Sequence, residues 1–175
     1  DREAYIASYY KLDDKDAKLA YVPGLFGNPV SGENSAYVRG EEKVDGATYY
    51  DYDVEKAKQI LDDAGWTVGS DGIREKDGQK LSIKFLAVKE KDAMDTMIPM
   101  LQKQWGELGV DFKANTMEFN TVISTVGDDS AIGDWDVSYL GNSFTSPEDT
   151  GVDYFIQSQG VNNFARLKDD ELDSY

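Results

Sequence analysis

The stretch YDVEKAKQILDDAGW, residues 52–66, begins the part of the chain that decides its fold. Asp53 is positioned to cap the free amides of a first helical turn, and Gly65 fits the left-handed position that ends a helix. The next segment, GSDGIREKDGQ at 69–79, contains two Asp-Gly steps, which favour tight turns and predict a hairpin. The apolar face of the helix is expected to comprise Val54, Ala57, Ile60, Leu61 and Ala64.

Downstream of the hairpin, two strand patterns flank a long helix pattern. LSIKFLAV at 81–88 and VDFKANTMEF at 110–119 both alternate as strands do. Between them, apolar spacing predicts a helix over 91–108 that Gly109 ends. Residues 81–116 should therefore form a β-α-β unit, with parallel strands and a right-handed crossover. The helix residues expected in the core are Met94, Met97, Ile98, Leu101, Trp105 and Leu108.

The remaining elements are shorter. Residues 118–126, EFNTVISTV, predict a helix that Asn120 caps, and 135–141, WDVSYLG, predict a third strand. At the other end of the sequence, Asp1 is expected to cap a helix in DREAYIASYYKL. Residues 13–50 contain repeated glycine and proline with few periodic apolar positions, which indicates a long irregular connection.

Composition narrows the classes of partner. The chain has 175 residues, of which 40% are hydrophobic, enough for a core of ordinary size. Asp and Glu number 34 against 18 Lys and Arg, so the formal charge of −16 repels nucleic acid and anionic lipid headgroups. No apolar run approaches the roughly 18 residues needed to span a bilayer. We therefore expect no nucleic-acid partner and no membrane insertion by this segment.

Histidine and cysteine are both absent from the sequence. Their absence removes imidazole bases, thiolate nucleophiles and the commonest transition-metal ligands. The two Asp-Gly steps at 71–72 and 77–78 do not meet the spacing of an EF-hand loop, which requires a glutamate at its twelfth position. We expect no metal, no cofactor and no catalytic residue.

Residues 52–81 resemble one family almost position for position. In the extracellular solute-binding proteins of oligopeptide, dipeptide and nickel ABC importers, known as family 5, a helix Y-D-x-E-K-A-K-x-L-L-x-x-A-G-W precedes D-G-I-R-x-K-D-G-x-x-L. The resemblance implies an α/β fold, namely a periplasmic-binding-protein-like (type II) lobe. Such a lobe has a mixed, mostly parallel sheet flanked by helices, with long irregular connections.

The resemblance also implies a domain organisation. Residues 1–175 correspond to one partial domain, most of the second lobe of a two-lobed binder, with 13–50 close to the hinge. The segment NNFARLKDDELDSY, residues 162–175, matches the opening of a long C-terminal helix that is truncated here. Because ligand capture in such proteins needs closure of two lobes, the lobe alone should bind weakly or not at all.

The same resemblance implies a ligand site after the third strand. Relatives carry a loop G-W-x-x-D-x-x-D-P there, whose main-chain groups and acidic residue hold a peptide's amino terminus. This chain has Asn142 instead of the tryptophan, and Thr145 or Ser146 at the amine-binding aspartate, while Glu148 and Asp149 lie just beyond Pro147. The ligand thus remains open between an extended peptide, a modified peptide and another small solute. The expected cleft-lining residues are Asn142, Ser143, Phe144, Thr145 and Ser146.

The function that follows is noncovalent binding of a peptide or similar small solute for delivery to the permease subunits of an ABC importer. The resemblance implies a monomer at the extracellular face of the cell membrane, lipid-anchored, or in the periplasm. Two alternatives from other classes stay open. One is a structural or protein-interaction module; the other is a hydrolase whose acid and base would come from Glu118, Asp134 and Asp136.

Overall fold

The structure, a computed structural model, describes residues 1–13, 15–16, 42–43, 45–46, 48–141 and 153–174. Most of the predicted irregular segment 13–50 lies outside these ranges. The chain divides into two compact units, the first comprising Asp1–Tyr21 with Tyr49–Leu140 and the second Val22–Thr48 with Gly141–Tyr175. Among the described residues, no helix combines the length and the apolar character that crossing a membrane requires.

Helix α1 (Arg2–Tyr10) opens the first unit. The Asp1 carboxylate accepts a hydrogen bond of 2.9 Å from the backbone N–H of Ala4, which confirms the predicted cap. The helix ends at Lys11, which adopts a left-handed conformation with φ 55°. No residue of α1 is buried, so it lies as an outer layer of this unit.

Helix α2 (Val54–Asp63) has the predicted ends. Asp53 accepts a 2.8 Å bond from the N–H of Lys56, and Gly65 has a φ of 86°. The predicted apolar face is wrong at two positions: Ile60 is 57% exposed, and Ala64 is exposed as well. The less exposed side of α2 instead includes Lys58, whose aliphatic stem can cover apolar surface. The half-buried residues of α2 are Val54, Ala57, Lys58 and Leu61.

A small antiparallel sheet follows α2, formed by β1 (Thr67–Val68), β2 (Arg74–Lys76) and β3 (Gln79–Lys80) in that spatial order. The turn between β2 and β3 places both Asp77 and Gly78 at positive φ, 51° and 76°. Positive φ at both central residues is the requirement of a two-residue type I′ turn, which Asp-Gly satisfies. The predicted hairpin is confirmed.

A parallel sheet is the centre of the first unit. Strand β4 (Ser82–Val88) continues into helix α3 (Asp92–Gly106) and then strand β5 (Asp111–Met117), which pairs with β4 in parallel. This arrangement confirms the predicted β-α-β unit. Gly109 ends the helical segment with φ 81°, as expected. Residues of α3 pack on one face of the sheet against Phe85 and Ala87; they are Ala93, Met94, Met97, Ile98 and Leu101.

Helix α4 (Phe119–Gly127) covers the opposite face. Its residues Val122 and Val126 are fully buried, and Leu86 of β4, which points away from the α3 face, is only 2% exposed. Burial on both faces explains the unbroken apolar run in the middle of β4. The predicted cap is wrong: the N-cap is Glu118, two residues before Asn120, so that Asn120 lies within the first turn of α4.

Strand β6 (Val137–Tyr139) pairs in parallel with the other side of β4 and gives the order β5-β4-β6. The fold is therefore α/β, with a parallel sheet between helices, as expected for a periplasmic-binding-protein-like lobe. The antiparallel strands form their own small sheet.

One charged side chain is buried among the residues that the structure describes. Arg74 is 4% exposed; its Nε donates to the carbonyl of Leu108 over 2.8 Å, and its Nη1 to the Asp62 carboxylate and the carbonyl of Trp66. The Arg74 backbone N–H donates to the carbonyl of Gly109 over 2.7 Å. Arg74 thus joins the small sheet, the end of α2 and the turn that leads into β5.

The second unit has short described elements: helix α5 (Asp153–Ile156) and a 3-10 turn at Leu172–Ser174. Its loops are joined by Asn163, whose amide donates to the carbonyls of Gln157 and Leu167 over 3.1 and 2.7 Å. The Asp173 carboxylate accepts a 2.7 Å bond from the N–H of Ser158. Hydrogen bonds from the Ser158 side chain and, second, from this N–H lower the pKa of Asp173.

Candidate functional site

The order of the parallel strands places a switch point between β4 and β6. The chain steps from β4 outward to β5, then returns past β4 to β6, and α3 and α4 lie on opposite faces. In open α/β sheets, ligands bind in the crevice outside the carboxyl ends of the strands where the order reverses. We call this border, formed by Val88, Met117 and Tyr139, the carboxyl edge.

The predicted ligand-binding residues follow this edge directly in the chain. β6 ends at Tyr139, so the backbone leaves the sheet at its carboxyl end three residues before Asn142. All five predicted residues lie outside the described residues: Asn142, Ser143, Phe144, Thr145 and Ser146. Their contacts with a ligand therefore stay a prediction, and the end of β6 supplies its structural basis.

A lysine that the sequence analysis passed over lies at the carboxyl edge. The backbone N–H of Lys89 donates to the carbonyl of Met117 over 2.8 Å, and its Nζ forms an ion pair of 2.7 Å with Glu118. Glu90 contacts the same amine at 4.0 Å and has φ 58°. The hydrogen bond to Glu118 raises the pKa of Lys89 above its usual value. The signal in the sequence was a charged turn immediately after a buried strand.

Two aromatic side chains at this edge are open to solvent. Phe119, in the first turn of α4, is 54% exposed, and Tyr139 is 44% exposed. The parallel register pairs Tyr139 with Ala87, so both side chains leave the sheet on the α3 face. Sequence alternation assigned Tyr139 to a face of the sheet but did not single it out as a candidate site residue.

A separate concavity of about 470 Å³ lies on the α4 face of the sheet. The indole Nε1 of Trp135, one of its lining residues, is buried and has no acceptor among the described residues. Lys84, another lining residue, donates from Nζ to the carbonyl of Gly133. Polar and apolar side chains both line it: Lys84, Leu86, Asn115, Met117, Ser124, Thr125, Asp128, Ala131, Asp134 and Trp135.

The three carboxylates of the hydrolase alternative do not share a site. Asp136 accepts a 2.7 Å bond from the N–H of Lys84, low on β4, whereas Glu118 follows Met117, which pairs with Val88. Four residues of strand separate these levels by about 13 Å. A glycoside hydrolase needs its two carboxyl groups within roughly 5–9.5 Å. The geometry therefore excludes Asp136 as a catalytic partner of Glu118.

The turn at Asp71 and Gly72 is held by an ion pair. The Asp71 carboxylate accepts from Lys80 Nζ and, over 3.1 Å, from the N–H of Ile73, and both bonds lower the pKa of Asp71. Across the part of the chain that the structure describes, no three acidic side chains gather closely enough to hold a metal ion.

Comparison with known proteins identifies the family. The family model of the bacterial extracellular solute-binding proteins, family 5 (middle region), matches residues 1–163. Over 142 residues the chain is 31% identical to the oligopeptide-binding protein OppA of Lactococcus lactis subsp. cremoris, covering 79% of this chain and 22% of that protein. It is 25% identical over 175 residues to the oligopeptide-binding protein AppA of Bacillus subtilis, covering 99% of this chain and 30% of AppA.

Solved structures share the fold. AppA from Bacillus subtilis, in complex with a nonapeptide, superposes with a TM-score of 0.69 at 21% identity, covering 99% of this chain and 34% of AppA. NikZ from Campylobacter jejuni, in complex with Ni(L-His), gives a TM-score of 0.64 at 22% identity, with 99% and 34% coverage. The chain spans about a fifth to a third of the length of these relatives. The match of the family model over most of its residues shows that this chain belongs to the family 5 bacterial extracellular solute-binding proteins.

Proposed function

We propose that this chain is most of one lobe of a longer protein that binds a peptide or similar small solute noncovalently and delivers it to an ABC importer permease. The observation that carries the proposal is the position of β6: it ends at the switch point of a parallel sheet, where α/β folds bind ligands. Relatives with this fold hold a nonapeptide or a nickel complex.

The loop after β6 is proposed to contact the solute. Asn142, Ser143, Thr145 and Ser146 supply neutral hydrogen-bonding groups, together with their main chain, and Phe144 supplies apolar area. Hydrogen bonds to neutral groups are roughly half as strong as those to ionised ones. A ligand amine would therefore be held less tightly here than by an aspartate, unless Glu148 or Asp149 takes that role.

A peptide is the proposed solute, ahead of a metal complex. The chain contains no histidine or cysteine, the side chains that most often coordinate nickel. A nickel complex that carries its own ligands, as Ni(L-His) does, is the second candidate, because a relative of the same fold holds one.

The remaining assignments follow from this mode of action. The protein acts without turnover, because binding and release alone serve transport. It works as a monomer at the extracellular face of the membrane or in the periplasm, with permease subunits as its partners. The separation of Glu118 from Asp136 supports binding over hydrolysis.

Thermal unfolding of the full-length protein tests the proposal. A ligand that binds only the folded state stabilises it by about 2.7 kcal/mol at a hundredfold excess over Kd. We expect peptide mixtures to raise Tm with concentration, with the peptide recovered unchanged by mass spectrometry. A rise with Ni(L-His) alone would redirect the ligand. No rise with either, or cleavage of the peptide, would refute the proposal.

Substitution of the loop tests the residues. Phe144→Ala and Thr145→Ala should each weaken peptide affinity, by about tenfold for the larger effect, because contacts at the centre of an interface carry most of the binding energy. Titration calorimetry measures the loss, and Ser70→Ala, at an exposed turn position, is the matched control. A fall in the Tm of the unliganded protein with unchanged affinity would mark these residues as structural.

A further inference from the structure

Helix α1 runs towards the carboxyl edge. The backbone nitrogen of Asp1 lies 3.0 Å from Oε1 of Gln104, near the end of α3, and α1 packs along that helix. Since α3 starts at the carboxyl edge and runs away from it, α1 runs back towards this edge. Its last turn, with Tyr9 and Tyr10, therefore approaches the border where the switch point lies.

Three tyrosines of α1 form one aromatic surface. The rings of Tyr5 and Tyr9 stack with centroids 5.7 Å apart and planes within 8° of parallel. The rings of Tyr9 and Tyr10 meet edge to face at 4.8 Å and 84°. Both are preferred aromatic geometries, so the contacts hold these side chains in defined positions.

A fourth tyrosine comes from the parallel sheet. Tyr139, the last residue of β6, leaves the sheet on the face that α3 covers, as shown by its pairing with Ala87. Burial raises the pKa of the Tyr5 phenol, and the neighbouring phenols of Tyr139, Tyr9 and Tyr10 raise it further. Tyr139 lies on the sheet face that α3 covers, and α1 packs along α3. We call these four side chains the tyrosine ridge.

The tyrosine ridge remains open to solvent in the first unit. Tyr10 is 63% and Tyr139 44% exposed, while Tyr5 and Tyr9 are half-buried by each other and by their surroundings. Packing within α1 accounts for the two inner rings. It does not account for the outer two, which expose aromatic area at the same end of the sheet from which the predicted ligand loop departs.

We infer that the tyrosine ridge is a subsite that accepts an apolar side chain of the bound peptide, preferably an aromatic one. The inference rests on the proposed function and specifies its substrate class. Tyrosine suits this role because it offers a large, rigid contact area at a low cost in side-chain entropy. The phenol hydroxyls remain available to the peptide main chain, so the subsite selects one side chain by contact area without needing a charge on it.

Peptides that differ at a single position test the inference on the full-length protein. The series carries Phe, Leu, Ser or Lys at each position in turn, and titration calorimetry measures affinity for the parent and for Tyr139→Ala and Tyr10→Ala. We expect Tyr139→Ala to weaken the Phe peptide about tenfold and the Ser peptide less than threefold at one position, as expected for loss of an aromatic contact. Tyr139→Phe should restore the preference.

Three results would overturn the inference. One is an equal loss for all four peptides, and another is a preference for the Lys peptide that Tyr139→Ala abolishes. The third is a lowered Tm of the unliganded protein with unchanged peptide selectivity, which would make the ridge an internal contact surface. Tyr50→Ala, at a tyrosine 81% exposed outside the ridge, is the matched control. If the unsubstituted protein binds no peptide, the proposed function itself fails, which separates that failure from loss of the subsite.

Discussion

The two ends of the parallel sheet are built in opposite ways. At the amino end of β5, Arg74 is buried, and its side chain donates to the carbonyls of Leu108 and Trp66. The Arg74 backbone N–H donates to the carbonyl of Gly109. At the carboxyl edge, the ion pair of Lys89 and Glu118 is exposed, and so are the aromatic side chains of Phe119 and Tyr139. One end therefore fixes the lobe, and the other keeps side chains available for contact.

The difference agrees with how binding folds divide their work. Residues buried with all partners satisfied resist rearrangement, because each unpaired group would retain its desolvation penalty. Exposed loops and ion pairs rearrange at little cost. Substitutions at the two ends of the sheet should therefore differ in effect, with the largest losses of stability at the amino end.

Arg74→Ala should have the largest effect on stability. It removes the donors to the carbonyls of Leu108 and Trp66 and opens a cavity, for an expected loss of about 2–4 kcal/mol in the free energy of unfolding. Urea unfolding of the full-length protein measures it. Lys76→Ala, on the same strand but exposed, should change the stability by less than about 0.5 kcal/mol. Equal effects of the two substitutions would contradict a structural role for the buried contacts of Arg74.

Gly109→Ala should have the next largest effect, a loss of about 1–3 kcal/mol in the free energy of unfolding. Alanine would have to adopt the left-handed conformation of Gly109, and its Cβ would be in close contact with neighbouring atoms. Its position would be 2.9 Å from Cγ of Arg74 and 3.0 Å from the carbonyl of Gly72. Gly106→Ala is the matched control: it lies in α3, where a Cβ meets nothing within 4 Å. That change should be neutral or stabilising, as alanine favours helix. Thermal unfolding measures the Tm of both variants. A Gly109→Ala protein as stable as the parent would contradict the prediction.

Lys89→Gln should have the smallest effect, and a pH-dependent one. The pKa of Lys89 is raised in the folded state, so the stabilisation by Glu118 is fully present below the ordinary lysine pKa and is lost as pH rises through the raised value. The Tm difference between the parent and Lys89→Gln should shrink above about pH 10.5, the ordinary value, and also with added salt. A difference that persists at high pH would show that the lysine stem, not its charge, matters.

Local chemistry made much of the fold predictable. Asp1 and Asp53 cap α1 and α2 as expected, and Gly65 after α2 and Gly109 after α3 adopt the expected left-handed conformations. Alternation and helical spacing gave the β-α-β unit. The direction of its strands followed because a helical crossover of that length joins parallel strands.

The buried contacts of Arg74 and the tyrosine ridge could not be predicted from the sequence. The contact of Arg74 with Leu108 spans 34 residues, and a charged residue in a short hairpin is ordinarily exposed. Tyr5 and Tyr9 belong to a helix without a clean apolar face, so the sequence of α1 did not indicate that Tyr139 of β6 would be a neighbour. The position of the predicted loop, by contrast, came from the family resemblance; periodicity alone predicted only the strand before it.

The brevity of β6 has a consequence for self-association. With three residues, β6 pairs only with β4 among the strands that the structure describes. A strand at the border of a sheet offers unpaired amides and carbonyls on which a foreign strand can assemble, and a short one offers few. Because β6 is short, it offers few such groups to a foreign strand, which limits aggregation along this outer strand, where Tyr139 is exposed.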